Sequence, residues 1–126
     1  MTNTRFHGAW RLESVDAKAA DGTPLEPLGT NPVGIIIWDE SGAFSAQLGE
    51  RDGSVGPYVA YFGTLEAPDG DEGTLIHHVS GASVSRLLTD QARHFSFIAE
   101  DELVLTPPPR PGGPAAMSLR WHRIRA

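Results

Sequence analysis

The sequence predicts an all-β fold, a sandwich or a closed barrel, and three observations carry the prediction. Fourteen glycines and ten prolines cut the 126 residues into short pieces. Most pieces alternate apolar and polar residues, the period of a strand with one buried face. No segment carries an amphipathic helical repeat, and short strands divided by turn signals point to a sandwich or barrel. The length fits one domain over residues 1–126, with a core large enough to stand without staples.

Eight strands follow in order. HGAWRLESVDA opens the chain, with Trp10 and Leu12 on one face and Arg11 and Glu13 on the other. KAADGTPLEPLGTNP reads as a loop into VGIIIWD, and DESG turns the chain into AFSAQLG. A type I turn with Gly42 as a left-handed bulge sets Trp38 opposite Phe44 and Ile36 opposite Ala46. Ile36, Trp38, Phe44 and Leu48 then share a face. ERDGSVGP, carrying Glu50, Arg51 and Asp52, is either a cover for a barrel mouth that reaches a ligand or a solvated hairpin loop.

YVAYFGTLE, the turn APDGDEG and TLIHHVSG form the next hairpin. ASVSRLLTD lacks alternation and reads as a crossing segment or short helix, with Leu87 and Leu88 plugging one end. QARHFSFIA, the turn AEDE and ELVLT come next. PPPRPGGP is a hairpin loop, because five prolines in eight residues cannot donate to a ladder. AMSLRWHRI is the last strand.

Face parity sorts the interior. Leu75, His77 and Val79 form the more apolar face of TLIHHVSG, so His77 points in and His78 out. Arg93, Phe95 and Phe97 oppose His94, Ser96 and Ile98. Met117, Leu119, Trp121 and Arg123 share the inner face of the last strand. In YVAYFGTLE the face of Tyr61 and Leu65 is taken as inner, because Gly63 lets the strand bend as barrel closure requires. Leu103 and Leu105 complete the set.

Composition removes several functions. Net charge is −6, from 10 Lys+Arg against 16 Asp+Glu, and Lys18 is the only lysine. Arg120 falls on the opposite face from Arg123 and Arg125, so the basic end forms no stripe and nucleic acid is not expected as a partner. The absence of cysteine excludes disulfides and thiolate metal sites. MTNTRFHGAW lacks the apolar run of a signal peptide, and no stretch approaches the roughly 20 apolar residues of a helical span. The expectation is a cytoplasmic protein without membrane partners. Adjacent His77 and His78 cannot share a metal on a regular strand, and His94 and His122 lie on outer faces, so no metal or other cofactor is expected. A homodimer stays open, through an edge such as ELVLT.

The residues carry a resemblance. Gly8-x-Trp10 matches the signature that opens the first strand of lipocalins, and Arg123 stands where that superfamily packs an arginine across the tryptophan. PVGIIIWDESGAFSAQL, YVAYFGTLE, TLIHHVSG, ARHFSFIAEDELVLTPPP and SLRWHRI look, in this order, like the bacterial lipocalin-like domain family. The resemblance implies a small antiparallel eight-stranded β-barrel (up to ten strands) of the calycin type, closed at one end and open to a ligand at the other. Most such relatives carry small apolar molecules. Some lipocalin-like barrels near biosynthetic genes act as cofactor-free cyclases or isomerases. A secreted-carrier role does not carry over, because this chain lacks the disulfide of secreted lipocalins.

Three functions remain open. The first is a barrel that binds a small, largely apolar, aromatic or polyketide-like molecule through Trp38, Phe44, Tyr61, His77, Phe95, Phe97, Met117 and Leu119. The second is a cofactor-free cyclase, isomerase or lyase of secondary-metabolite biosynthesis. There His77 would move the proton, Tyr61 would orient it or bond a substrate oxygen, and Arg93 would stabilise an enolate or carboxylate. The third is a filled barrel serving assembly. For His77 the structural alternative is a core histidine hydrogen-bonded to Tyr61 or Ser45. Trp10 and Arg123 are expected to be structural, stacked at the closed end. His78 is expected to titrate like a free histidine.

Overall fold

Period-two sequences held apart by glycine and proline leave each strand one apolar face to bury, and closure into a barrel buries all of them. The computed structural model describes residues 3–52 and 58–126. A 3-10 turn, Thr4–Phe6, precedes β1 (Gly8–Lys18), β2 (Pro24–Leu25), β3 (Pro32–Trp38), β4 (Ala43–Glu50), β5 (Val59–Glu66) and β6 (Glu72–Ala82). A second 3-10 turn, Ser85–Leu87, leads to β7 (Gln91–Ala99), β8 (Glu102–Thr106) and β9 (Ala116–Arg123). From β3 to β9 each strand pairs antiparallel with the next, and β1 pairs with both β3 and β9. Eight strands therefore close into an antiparallel barrel. The short β2 lies in the stretch read as loop and adds a two-residue ladder to the end of β1.

Local chemistry sets the register where it was expected to. Gly42 sits at φ +96, its N–H donates to the Asp39 carbonyl at 2.9 Å, and Asp39 N–H donates to Ala43 at 2.8 Å. Trp38 faces Phe44 and Ile36 faces Ala46. The bend at Gly63 is a bulge between Phe62 and Gly63 in the ladder with β6. A Cβ at Gly63 would lie 1.9 Å from the His78 carbonyl oxygen, so the glycine permits that close approach. A second bulge, between Leu12 and Ser14, bends the long β1 where it pairs with β9.

Two expectations need correction. ELVLT is not an edge, because β8 is paired on both sides, with β7 and β9; closure removes the proposed dimer route. Of the expected plug pair, Leu87 is buried and Leu88 is 52% exposed. A 3-10 turn carries consecutive side chains in different directions, so only one of the pair can reach the core. Among the described residues no helix is long and apolar enough to cross a membrane.

One end of the barrel is sealed by the chain leading into it. Phe6, fully buried, meets Trp38, Phe95 and Phe97 edge-on at 5.1, 5.0 and 4.9 Å between ring centroids. The Trp10 indole N–H donates to the Phe6 carbonyl at 3.0 Å. Arg123 lies over Trp10, its guanidinium carbon 4.2 Å from the ring centroid. It also donates to the His7 and Arg5 carbonyls at 2.6 and 2.8 Å and to Asp101 at 3.0 Å. Buried Asn3 ties the same turn to the β5–β6 loop through the carbonyls of Pro68 and Gly70. Arg5 pairs with Asp71.

Arg123→Ala loses the stack and leaves two carbonyls without their donor, so it should cost about 2–3 kcal/mol. Trp10→Ala should cost about 3–5 kcal/mol as a buried aromatic deletion. Urea unfolding gives both numbers, provided the slope of the transition is unchanged. A midpoint for Arg123→Ala equal to wild type would show that the stack carries no stability.

Candidate functional site

The barrel interior divides into a filled half and a hollow half. In the filled half, next to the sealed end, His77 on β6 is fully buried. The Trp38 indole N–H donates to His77 Nε2 at 3.1 Å, which makes Nε2 the acceptor and puts the proton of the neutral ring on Nδ1. Nδ1 has no hydrogen-bond partner among the described residues. Phe44 stacks on the ring at 3.9 Å and Tyr61 meets it edge-on at 5.8 Å. The partner expected for a core histidine was Tyr61 or Ser45; it is Trp38, and Ser45 faces outward. Burial first, then the charges of Arg93 and His78, push the His77 pKa down to about 3. The imidazole is therefore neutral at any physiological pH.

The hollow half is a cavity of about 270 Å³. Ile36, Leu48, Val59, Leu105, Met117, Leu119 and Trp121 supply apolar walls, and Tyr61, Gln91 and Arg93 are its polar members. Three connections form the rim: Pro27 and Leu28 before β3, Arg86 and Leu87 of the second 3-10 turn, and Pro107 to Arg110 with Pro114 and Ala115 between β8 and β9. Apolar walls with a few converging polar groups are the usual make-up of a small-molecule site.

Not all the residues expected to meet a ligand reach this space. Tyr61, Arg93, Met117 and Leu119 line it, whereas Trp38, Phe44, His77, Phe95 and Phe97 are packed in the filled half. Of the acid–base trio, Tyr61 and Arg93 line the cavity, while His77, edge-on to Tyr61 at 5.8 Å, does not. Parity placed all three side chains inside, but strand parity is blind to depth along the barrel axis. Tyr61 is buried enough that its phenol pKa is raised, an effect opposed by the nearby Arg93 charge; the group stays protonated. Arg93 is half-buried and donates to the Ala92 carbonyl at 2.8 Å.

Sequence reasoning missed the rim. Arg86 and Arg110 sit in runs of serine, leucine, proline and glycine with no acidic residue within three positions, a signal that an isolated guanidinium waits for something other than a neighbour. Nothing in the alternation could mark Pro27, Leu28 or the proline loop as cavity wall. Trp121 was placed inside; its buried indole N–H has no partner among the described residues.

Glu50, offered as a ligand contact, does not line the cavity. It is buried and accepts the Asn31 N–H at 3.1 Å. Gly29 at φ +84 passes so close that a Cβ there would lie 1.8 Å from the carboxylate oxygen. Glu50 thus pins the loop that carries Pro27 and Leu28. Residues 53–57, the remainder of the segment expected to cover the mouth, lie outside the described residues.

The outer histidines are engaged at the surface. His78 Nε2 lies 2.9 Å from Glu66 and Nδ1 lies 3.1 Å from Asp90. These contacts, Glu66 first, raise its pKa, so the expectation of a free-histidine titration is corrected. Parity could show that His78 faces out but not that two carboxylates from other segments meet it. Glu13, Glu102 and His122 form one group with metal-ligating atoms close together. Glu102 already takes the His122 ring nitrogen at 2.6 Å and the Arg120 guanidinium at 3.5 Å.

Comparison with known proteins agrees with this architecture. The model of the lipocalin-like domain family matches residues 7–55, the segment from the Gly8-x-Trp10 opening through β4. The remaining strands complete the closed eight-stranded meander. The chain is thus similar to the lipocalin-like domain family over residues 7–55, within a closed eight-stranded antiparallel β-barrel. No curated protein matches it. A lipocalin-like barrel with an internal cavity is suited to holding a small molecule.

The two neighbouring histidines should make opposite contributions to stability against pH. The His77 pKa is lower folded than unfolded, so the unfolded chain takes up the proton first. Stability should then fall as pH drops below about 6.5, by up to roughly 1.4 kcal/mol per pH unit, levelling near the folded value. His78, whose folded pKa is raised, contributes stability at low pH that is lost as pH rises through that value. An NMR titration should show His77 silent above pH 5 while His78 titrates above the ordinary histidine range. A His77 midpoint near 6.5 would rule out the desolvated, Trp38-bonded ring.

Proposed function

We propose that the protein binds a small, largely apolar molecule in the hollow half of the barrel, in the cytoplasm. The observation that carries this reading is the cavity itself, walled by aliphatic side chains and Trp121, with Tyr61 and Arg93 as buried or half-buried polar contacts. Its volume of about 270 Å³ is just below the roughly 300–1,000 Å³ of common ligand sites. A compact ring or short chain fits that space better than a long lipid.

The alternative, a cofactor-free cyclase, isomerase or lyase, has less support. Its base would be His77, which is bonded through Nε2 to Trp38 and is not among the cavity-lining residues. Any proton transfer in the cavity would fall to Tyr61, with Arg93 stabilising a developing negative charge. Separating the two functions means asking which residue a ligand or a reaction depends on.

Indole serves as an apolar probe in an amide NMR titration. Binding should shift signals of Tyr61, Leu105 and Leu119 and leave the outer faces unchanged. Met117→Trp, which fills the cavity from β9, should weaken binding by about tenfold or more, whereas His77→Gln should change it by less than about threefold, if folding is retained. Shifts confined to the barrel exterior would refute the cavity as the binding site. A substrate whose turnover vanished in His77→Gln but persisted in Tyr61→Phe would favour the enzyme.

A further inference from the structure

Arg86, Arg93 and Arg110 all line the cavity, and no aspartate or glutamate does among the described residues. The ion pairs among the described residues engage Arg5, Arg120, Arg123 and Arg125, and none of these three. The three arginines come from separate segments: the 3-10 turn before β7, β7 itself, and the proline loop between β8 and β9. Arg86 is near enough to both of the others to feel their charge. Burial, followed by the charges of Arg110 and Arg93, holds the Arg86 guanidinium below its ordinary pKa. Three like charges converge at one mouth, in a chain whose net charge is −6. Such a grouping costs electrostatic energy unless an anion enters it.

A donor unpaired among the described residues lies in the cavity wall. Trp121 is 1% exposed, it lines the same cavity, and its indole N–H has no partner among the described residues. A buried N–H without an acceptor is unfavourable, and a ligand oxygen would relieve it. The walls between Trp121 and the rim are Leu105, Met117 and Leu119. The site thus offers positive charge at the mouth, an apolar middle, and a neutral donor in the wall.

We propose that the cavity takes a small organic carboxylate with a hydrogen-bond acceptor further along an apolar, aromatic body, its carboxylate held among Arg86, Arg93 and Arg110. This rests on the reading of the cavity as a ligand site and names the chemical class of the ligand. Guanidinium forks match a carboxylate through paired hydrogen bonds. Tyr61, protonated and near Arg93, brings a neutral hydroxyl to the same cavity. An inorganic anion could use the arginines but would leave the apolar walls and the Trp121 donor unused.

Calorimetric titration with benzoylpropionate, benzoylpropionamide and inorganic phosphate tests this, with indole as the apolar reference. The acid should bind about tenfold or more tightly than the amide, and added salt should weaken the acid alone. Arg93→Gln and Arg110→Gln should each erode that preference; Arg110 is an exposed loop residue, so this variant does not put folding at stake. Equal binding of acid and amide, unchanged in both variants, would overturn the carboxylate while leaving the cavity site standing. Indole binding with no binding of the acid would overturn it in the same way. Phosphate competing as strongly as the acid would replace the organic ligand with a free anion. Failure of indole and the acid together would overturn the ligand site and the carboxylate with it.

Discussion

Arg123 over Trp10 joins parts of the chain more than a hundred residues apart. The guanidinium covers the indole, reaches the carbonyls of Arg5 and His7, and pairs with Asp101. A meander of eight strands closes only if the first and last are held in register, and here one side chain from β9 lies on the ring of its direct cross-strand partner in β1. The same contact fastens the N-terminal turn that delivers Phe6 into the barrel. Sealing this end has a consequence at the other. With Phe6, Trp10, Trp38, Phe95 and Phe97 crowded into one half, the cavity is left among Ile36, Leu48, Leu105, Met117 and Leu119, with Tyr61 and Trp121 in its wall.

His77 belongs to the sealed half in spite of its chemistry. A neutral imidazole accepting from Trp38 and stacked on Phe44 satisfies the indole N–H at the cost of one unpaired Nδ1. Such a ring is a packing element with a polar edge. Its low pKa follows first from burial and then from the charges of Arg93 and His78. The histidine beside it is governed by other forces: His78 is held at the surface between two carboxylates. A single peptide bond separates a residue that resists protonation from one that favours it, because a strand sends consecutive side chains to opposite environments.

The mouth is built by connections rather than strands. Glu50 and Gly29 shape the approach to β3, the second 3-10 turn places Leu87 inside and Arg86 at the rim, and the proline loop forms the facing wall. Loops placed by a rigid scaffold are where binding chemistry usually resides. In this barrel two of them bring Arg86 and Arg110 to the cavity of a chain whose net charge is −6. A ligand would feel that charge at short range, once it has come within a Debye length or so.

The sequence by itself determined the eight barrel strands, their order and which side chains face inward, because alternation with a period of two is a property of neighbouring residues; it did not determine the short β2. The DESG turn, with Gly42 in the left-handed region, likewise determined the register of Trp38 against Phe44 and Ile36 against Ala46. Gly8, Trp10 and Arg123 marked the sealed end through a resemblance whose geometry the fold reproduces. Only the tertiary structure decided how deep each inward residue lies. Strand tilt and stagger bring His77 level with Trp38 and Phe44, and leave Tyr61, Arg93, Met117 and Leu119 around open space. It also decided that Phe6, from outside the strands, would fill one half, and that Arg86 and Arg110 would meet Arg93 at the other. Those meetings join residues far apart in the chain through loops that have no periodicity, so no local pattern could announce them.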